Sequence, residues 1–197
     1  MQETYFNNYI ADVGKALSKM MVTDSNGNEL NQKKGLENWA DKAKEIRDDK
    51  HGTFFFAGNG ASASMAEHMS SDCFQNADFI TFTCSETSYI TAVSNDVAYE
   101  DIFSYKINKV MKNTDMLITI SASGNSPNII KAINTAKAKG AHIVTVSGMN
   151  PDNRSRMSGH LNFYVPANTY GMVESAHSVL LHCWLDLFLD KYMGGRH

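Results

Sequence analysis

The sequence predicts an α/β fold, a three-layer αβα sandwich in which a five-stranded parallel sheet lies between helices. Three observations predict this fold. Short apolar runs alternate with stretches of helical periodicity, which is the pattern of right-handed βαβ units. The apolar runs are continuous rather than alternating, as expected of strands that are buried on both faces. Two of the runs end in glycine- or serine-rich turns, at the edge where parallel sheets bind ligands.

The composition indicates a globular chain with a single domain over residues 1–197, since 43% of the residues are hydrophobic and 20% are charged. The formal net charge is −3 and no basic block occurs, which argues against nucleic-acid binding. The three cysteines show no C-x-x-C spacing, so the sequence favours a reducing compartment over a disulfide framework or a cysteine zinc site. Neither a membrane span nor a signal peptide is recognisable, and we expect a cytoplasmic protein.

The first 50 residues are predicted to form two helices ahead of an α/β core at residues 51–197. Apolar residues recur at helical spacing over Tyr5–Met21 and again over about Leu30–Asp48. Turn-forming residues at Asp24–Asn28 separate the two stretches. The result is a predicted helical hairpin whose apolar faces pack on the sheet or on another subunit, which hints at an oligomer.

The core is predicted to contain five strands, four intervening helices and a long last helix. The strands are expected at Thr53–Ala57, Phe79–Cys84, Met116–Ile120, His142–Val146 and Leu161–Val165. The helices are expected at Ala63–Gln75, Thr87–Val93, Ile102–Met111, Asn128–Lys139 and Met172–Met193. Gly140 suits the position just after a helix, and residues 148–160 are rich in turn-forming residues.

The third strand ends in a hydroxyl-rich turn, Ser121-Ala-Ser-Gly-Asn-Ser126. Ser126 suits the N-cap of the following helix, and Pro127 suits its first position. The first helical turn has unpaired N–H groups at the positive end of the helix dipole, so this turn favours a phosphate. An ordinary capped turn would use the same residue types, and that alternative stays open at this point.

A second turn of this kind, Gly58-Asn-Gly-Ala-Ser62, follows the first strand. It is not a Walker A loop, because the G-x-x-x-x-G-K-[ST] pattern is absent, and it is not a dinucleotide-binding turn, because Ala63 stands where the third glycine of G-x-G-x-x-G is required. The carboxyl ends of parallel strands meet at one edge of the sheet, so we expect both turns to line the same crevice. Together the two turns favour phosphate binding more than either does alone.

Histidines and carboxylates on two helices form a candidate chemical group. His68 and Asp72 lie four residues apart and share a helix face. On the last helix Glu174 and His177 share a face, and His182 lies further on. Such residues serve in general acid–base proton transfer or bind zinc. The structural alternative is that the histidines of so apolar a helix are core residues and that the carboxylates are solvated.

These motifs resemble the sugar isomerase (SIS) family, and within it the phosphoheptose isomerase branch. The resemblance covers nearly the whole chain and rests on Gly58–Ser62, His68, Ser94–Asp96, Ile120–Ser126, Glu174-x-x-His177 and His182. It implies a flavodoxin-like five-stranded sheet and a homotetramer with active sites between subunits. It also implies isomerisation of sedoheptulose 7-phosphate to D-glycero-D-manno-heptose 7-phosphate through an enediol, for heptose and lipopolysaccharide biosynthesis, without a redox cofactor.

The resemblance also implies a role for each matching residue. Asp72 would be the base and His182 the acid. The sugar phosphate would contact Asn59, Gly60, Ser62, Asn95, Asp96, Ser121, Ala122, Ser123, Ser126 and Glu174. One Zn²⁺ per subunit would bind His68, Asp72, Glu174 and His182. Because Glu174 and His182 are about 12 Å apart along a straight helix, it stays open whether both reach one centre, and His177 is the candidate to substitute for His182.

Several positions depart from the family pattern. Asp72 stands for a glutamate, Glu174 for a glutamine and Ala61 for a glycine, and Phe74–Asn76 occupies the place of a usual arginine. The run Gly171–Glu174 is one residue shorter than the family's Asp-Arg-Ile-Gln. Two alternatives therefore stay open: a non-catalytic SIS module that binds a replication initiator protein, and an isomerase for a different phosphosugar.

Overall fold

A computed structural model describes residues 2–195, over which strands and helices alternate. The helices are α1 (Gln2–Ser18), α2 (Gln32–Asp48), α3 (Ala61–Ala77), α4 (Thr87–Asp96), α5 (Ser104–Val110), α6 (Pro127–Ala138) and α7 (Tyr170–Tyr192). The strands are β1 (Met21–Asp24), β2 (Glu29–Leu30), β3 (Thr53–Gly58), β4 (Ile80–Thr83), β5 (Met116–Ser121), β6 (His142–Gly148) and β7 (Leu161–Val165). Short 3₁₀ turns occur at Tyr99–Asp101 and Arg154–Met157.

The strands form one sheet in the order β2-β1-β7-β6-β5-β3-β4. The five predicted strands are confirmed, and neighbours from β7 to β4 are all parallel. The sheet is nevertheless longer than predicted, because β1 adds antiparallel to β7 and β2 pairs antiparallel with β1.

The two added strands replace the simple turn that was predicted between the N-terminal helices. Asp24 closes this β-hairpin, since its Oδ1 accepts the N–H groups of Asn26 at 2.8 Å and Asn28 at 2.9 Å. β1 was missed because it has only four residues and its apolar side chains continue the helical spacing of α1. The two predicted helices are confirmed, but α1 ends at Ser18.

Helices cover both faces of the sheet, as predicted. On one face α1, α2, α3 and α7 share a core that contains Phe54, Phe56, Trp39 and Trp184. The two tryptophan rings stack with centroids 4.1 Å apart, which joins α2 to α7. On the other face α4, α5 and α6 pack over residues such as Phe55. Within the described residues, none of the helices combines the length and apolar character needed to cross a membrane.

Sheet pairing brings the two predicted turns together. β3 and β5 are neighbours, with Gly58 paired to Ile120, so the turns that follow them lie side by side. Two helices at this edge begin earlier than predicted, α3 at Ala61 and α7 at Tyr170. α7 starts early because Thr169 Oγ1 accepts the N–H of Met172 at 3.3 Å and so provides an N-cap.

Candidate functional site

The turns after β3 and β5 enclose a cavity of about 260 Å³, which we call the serine cavity. It is lined by Asn59, Gly60, Ala61, Ser62, Ile120, Ser121, Ala122, Ser123, Ser126, Tyr170 and Glu174. Apart from Asn95 and Asp96, every residue predicted to contact the sugar phosphate is among them. Tyr170 was not anticipated, because its position one turn before Glu174 became clear only when the start of α7 was known.

Hydroxyl groups in the second turn keep their hydrogens available for a ligand. The N–H of Gly124 donates to Ser121 Oγ at 3.2 Å, and the N–H of Asn125 donates to Ser123 Oγ at 3.3 Å. A hydroxyl that accepts an N–H can still donate its own O–H, and phosphate oxygens are acceptors. Ser126 stands at the N-cap of α6 without making a side-chain cap bond. Its hydroxyl is therefore available as well.

Asn128, which was not predicted to belong to the site, performs the capping that Ser126 does not. Its Oδ1 accepts the N–H of Ile129 at 2.9 Å, within the first turn of α6. Its carboxamide also exchanges two hydrogen bonds of 2.9 Å with Asn59, and these bonds join the two turns. The signal in the sequence was a polar residue four positions before Ala132, on the buried stripe of α6.

The first turn depends on glycine for close approach. A Cβ at Gly58 would lie 2.3 Å from the carbonyl oxygen of Ser62, so a larger residue cannot stand there. Gly60 has a φ of +55°, in the left-handed region that glycine tolerates best. The chain can therefore fold back tightly and begin α3 directly beside the second turn.

The predicted loop between β6 and β7 supports the second turn from behind. Asn125 Oδ1 accepts the N–H of Arg154 at 2.9 Å, and the N–H of Ser155 donates to the carbonyl oxygen of Gly124 at 2.9 Å. Gly124 has a φ of +62°, and a Cβ there would lie 2.0 Å from Asn153 Oδ1. The turn is thus held in one shape by backbone contacts that leave its hydroxyls facing the cavity.

The charge around the cavity comes mainly from backbone groups. Its described lining contains one carboxylate, Glu174, and neither lysine nor arginine. α3 and α6 both begin at this cavity, and a helix N-terminus favours an anion by about 0.3–1 kcal/mol. Hydroxyls and helix N-termini together suit a phosphate, and Glu174 suits the hydroxyls of an attached sugar.

Further along α3 and α7, three side chains meet to form what we call the histidine–aspartate group: His68, Asp72 and His182. His68 Nε2 lies 3.2 Å from His182 Nε2 and 3.2 Å from Asp72 Oδ2. His182 Nε2 lies 3.9 Å from the same carboxylate oxygen. The side chains are 57%, 26% and 45% exposed for His68, Asp72 and His182, so a ligand can reach all three.

The donor set and spacing of this group fit a zinc ion. Tetrahedral zinc with bonds of 2.0–2.1 Å separates its ligand atoms by about 3.3 Å, close to two of the three observed distances. His182 Nδ1 lies 2.8 Å from the carbonyl oxygen of Ser178, which can only accept, so Nδ1 carries the hydrogen. Nε2 therefore presents its lone pair to the group, as a metal-ligating histidine requires.

The remaining predicted residues lie elsewhere. Glu174 belongs to the serine cavity and not to the histidine–aspartate group. His177 is buried in the core, where its Nε2–H donates to the carbonyl oxygen of Ser147 at 3.1 Å and burial lowers its pKa to about 4. This position rules out His177 as the substitute for His182. Asn95 and Asp96 are exposed at the end of α4 and hydrogen-bond to each other at 2.8 Å.

Comparison with known proteins gives the fold and the site a family. A profile of the SIS domain matches residues 8–148, which is more than half of the chain. The chain belongs to the SIS domain family. The matched range contains both turns together with His68 and Asp72, whereas Glu174 and His182 lie beyond it.

Among the relatives are proteins named phosphoheptose isomerase. The one from Shewanella frigidimarina is 34% identical over 138 residues, which cover 66% of this chain and 70% of the relative. The one from Chromohalobacter salexigens is 30% identical over 152 residues, covering 73% and 77%. The fold matches a phosphoheptose isomerase structure from Neisseria gonorrhoeae with a TM-score of 0.80 at 21% identity, over 95% of this chain and 99% of that one. A Francisella tularensis structure with the same name gives 0.82 at 18% identity, over 96% and 99%.

Proposed function

We propose that the protein is a phosphosugar aldose–ketose isomerase that converts sedoheptulose 7-phosphate to D-glycero-D-manno-heptose 7-phosphate. The observation that carries the proposal is the position of His68, Asp72 and His182 about two helical turns from the serine cavity. One site suits a phosphate, and the other suits proton transfer at a distance from it. The relatives named phosphoheptose isomerase support the seven-carbon substrate.

The spacing of the two sites favours a sugar of this length. Ser62 lines the cavity and His68 follows six residues later on α3, about 9 Å along the helix. An extended chain advances about 1.2 Å per bond, so the eight bonds from phosphorus to C1 of a heptose 7-phosphate span about 10 Å. With its phosphate in the serine cavity, such a substrate brings C1 and C2 to the histidine–aspartate group.

In the proposed reaction Asp72 takes a proton from the carbon next to the carbonyl, which forms a cis-enediol, and returns it to the neighbouring carbon. Both imidazoles approach Asp72 through Oδ2, so we assign the proton to Oδ1. In the metal-free group His182 would act as the acid with a hydrogen on each ring nitrogen, keeping Nδ1–H on the carbonyl oxygen of Ser178 and donating Nε2–H to the substrate carbonyl oxygen. Positioned proton transfer of this kind typically contributes about 10²–10⁴-fold. Binding of the remote phosphate supplies the orientation of the reacting carbons.

A zinc ion, one per subunit, is assigned to His68, Asp72 and His182 on the distances given above. Zinc at this group would be held by His182 Nε2 and would supply Lewis-acid polarisation of the substrate carbonyl in place of the His182 acid. Glu174 is assigned to the sugar and not to zinc, because it is about 12 Å from His182 along α7. The reaction moves protons without net oxidation, so a redox cofactor is not required.

The proposed assembly is a homotetramer of single SIS domains, residues 1–197, with sites between subunits. Apolar side chains are exposed on the helices that surround the site: Phe6 and Ile10 on α1, Phe74 on α3 and Val179 on α7. A partner subunit on this side would bury them and cover the exposed histidine–aspartate group. Light scattering should give a mass near four chains of 21.8 kDa, and a monomer would contradict the assembly.

We also infer a cytoplasmic enzyme, since the cysteines are all free among the described residues.

The direct test is incubation of the purified protein with sedoheptulose 7-phosphate, with and without added zinc, followed by chromatography of the heptose phosphates. Asp72→Asn should abolish product formation. Asp78→Asn is the matched control, because Asp78 is exposed at the end of the same helix and its left-handed φ of +56° suits asparagine. Absence of product with the wild-type protein, or equal rates for Asp72→Asn and Asp78→Asn, would refute the assignment. Turnover only of shorter ketose phosphates would reassign the substrate.

A further inference from the structure

One buried amide sets the orientation of another in the neighbouring turn. Asn128 is 1% exposed, and the atom that meets the N–H of Ile129 at 2.9 Å must be its oxygen, because a backbone N–H can only donate. Asn59 must then offer its nitrogen to that oxygen and its own oxygen to the nitrogen of Asn128, both at 2.9 Å. A backbone donor in α6 thereby fixes a side chain in the turn after β3.

Tyr99 completes this arrangement from the other side. Its hydroxyl donates to Asn59 Oδ1 at 3.3 Å. Both lone pairs of that oxygen are then used, one by Asn128 and one by Tyr99. One of the two hydrogens on Asn59 Nδ2 is donated to Asn128, and the other remains. Asn59 therefore presents a hydrogen-bond donor to the serine cavity and cannot present an acceptor.

The same amide changes the role of Ser126. An N-cap serine ordinarily accepts an N–H from the second or third helical residue, which occupies its oxygen and orients it toward the helix. In α6 the N–H of Ile129 is taken by Asn128, and the Ser126 side chain makes no cap bond. The Ser126 hydroxyl is left to turn toward the cavity that it lines.

We propose that Asn128 is a positioning residue that strengthens the preference of the serine cavity for anions. It holds Asn59 as a donor and releases the Ser126 hydroxyl, in a cavity whose lining has neither lysine nor arginine. The expected ligand chemistry is the phosphate group of a sugar phosphate. The proposal rests on the proposed function for that ligand, but phosphate binding can be measured without turnover.

The experiment measures orthophosphate affinity by calorimetry for the wild-type protein, Ser126→Ala, Asn128→Ala and the double variant. Asn128→Ala should weaken binding at least tenfold, because Asn59 loses its orientation and Ser126 returns to capping. Ser126→Ala should weaken binding at least threefold in the wild-type background and much less when Asn128 is already absent. Ser126→Ala should also lower the midpoint of thermal unfolding by about 3 °C in the Asn128→Ala background only.

The proposal requires that the effect of Ser126→Ala on orthophosphate affinity depends on the presence of Asn128. If the wild-type protein fails to bind orthophosphate, or if Ser126→Ala has equal effects in both backgrounds, Asn128 does not position the cavity. If Asn128→Ala fails to fold, Tyr99→Phe is measured instead. This substitution at an exposed residue removes the hydroxyl that donates to Asn59 Oδ1 and so frees one lone pair of that oxygen. A threefold loss of orthophosphate affinity supports the proposal, and affinity equal to that of the matched variant Tyr105→Phe overturns it. A protein that passes these tests but lacks isomerase activity would refute only the proposed function.

Discussion

Lowering the pH from 7 to 4.5 is expected to destabilise the fold through His177. This side chain is completely buried, and burial lowers its pKa from 6.5 to about 4. Because the unfolded chain keeps the ordinary value near 6.5, it binds a proton before the folded chain does as the pH falls. Stability is therefore present above about pH 6.5 and is lost as the pH falls toward 4. The difference between the two pKa values corresponds to about 3 kcal/mol, of which about 2 kcal/mol is lost between pH 7 and pH 4.5.

The assay is urea unfolding at both pH values for the wild-type protein and His177→Gln. Glutamine keeps an N–H for the carbonyl oxygen of Ser147, which accepts from His177 Nε2 at 3.1 Å, but it cannot be protonated in this range. All samples contain a chelator and the same protein concentration, so that metal release and subunit dissociation do not differ. The substitution changes packing, so the variant should be less stable than the wild-type protein at pH 7. Between pH 7 and pH 4.5, however, the free energy of unfolding of the variant should fall by about 2 kcal/mol less than that of the wild-type protein.

His51→Asn is the matched control for this comparison. His51 is exposed and has a φ of +48°, a conformation that asparagine adopts readily. Between pH 7 and pH 4.5, the free energy of unfolding of His51→Asn should fall by the same amount as that of the wild-type protein. If His177→Gln loses as much stability as the wild-type protein between pH 7 and pH 4.5, a buried neutral His177 is not the cause of the acid sensitivity.

Three further experiments use substitutions to test the packing of the second turn, the capping of α6 and the zinc site. Gly124→Ala should lower the free energy of unfolding by about 2 kcal/mol or more, because Gly124 has a left-handed φ and the added Cβ would lie 2.0 Å from Asn153 Oδ1. Urea unfolding measures this change, and a free energy equal to that of the wild-type protein would contradict the packing of the turn. Ser126→Ala should change the free energy of unfolding by less than about 0.5 kcal/mol, because Ser126 makes no side-chain cap bond. Asn31→Ala removes a working N-cap of α2 and should lower the free energy of unfolding by about 1 kcal/mol. Equal decreases for the two variants would mean that Ser126 caps α6. His68→Ala should weaken zinc binding at least about 100-fold in competition with a chromophoric chelator, and retained affinity would exclude the histidine–aspartate group as the zinc site.

The parallel strands were predictable because burial on both faces requires continuous apolar runs, and such runs are visible in the sequence. The hairpin of β1 and β2 was not, since its stability comes from pairing with β7, a strand more than 130 residues later in the chain. Local chemistry likewise predicted the serine turn, where hydroxyls, a glycine and a proline are adjacent. The support that the turn receives from Asn153 and Ser155 depends on tertiary contacts and left no local signal.

Helical geometry distinguishes His177 from His182. His177 continues the stripe of Leu181, Trp184 and Phe188, all of which are buried. His182 is five positions after His177, about 140° around the helix, and therefore leaves that stripe. The periodicity of α7 could have assigned one histidine to the core and the other to the site, whereas the pairing of His182 with α3 required the structure.

Isomerisation in D₂O tests the central claim, that Asp72 transfers a proton between neighbouring carbons of a heptose phosphate anchored by the serine cavity. The wild-type protein should produce heptose 7-phosphate that contains solvent deuterium on the carbon receiving the proton, as seen by mass spectrometry and NMR. Asp72→Asn should give neither product nor exchange into the substrate. Product free of deuterium from the wild-type protein would mean that Asp72 returns the abstracted proton before it exchanges with solvent. Absence of heptose 7-phosphate, or product and exchange by Asp72→Asn at the wild-type rate, would contradict the central claim.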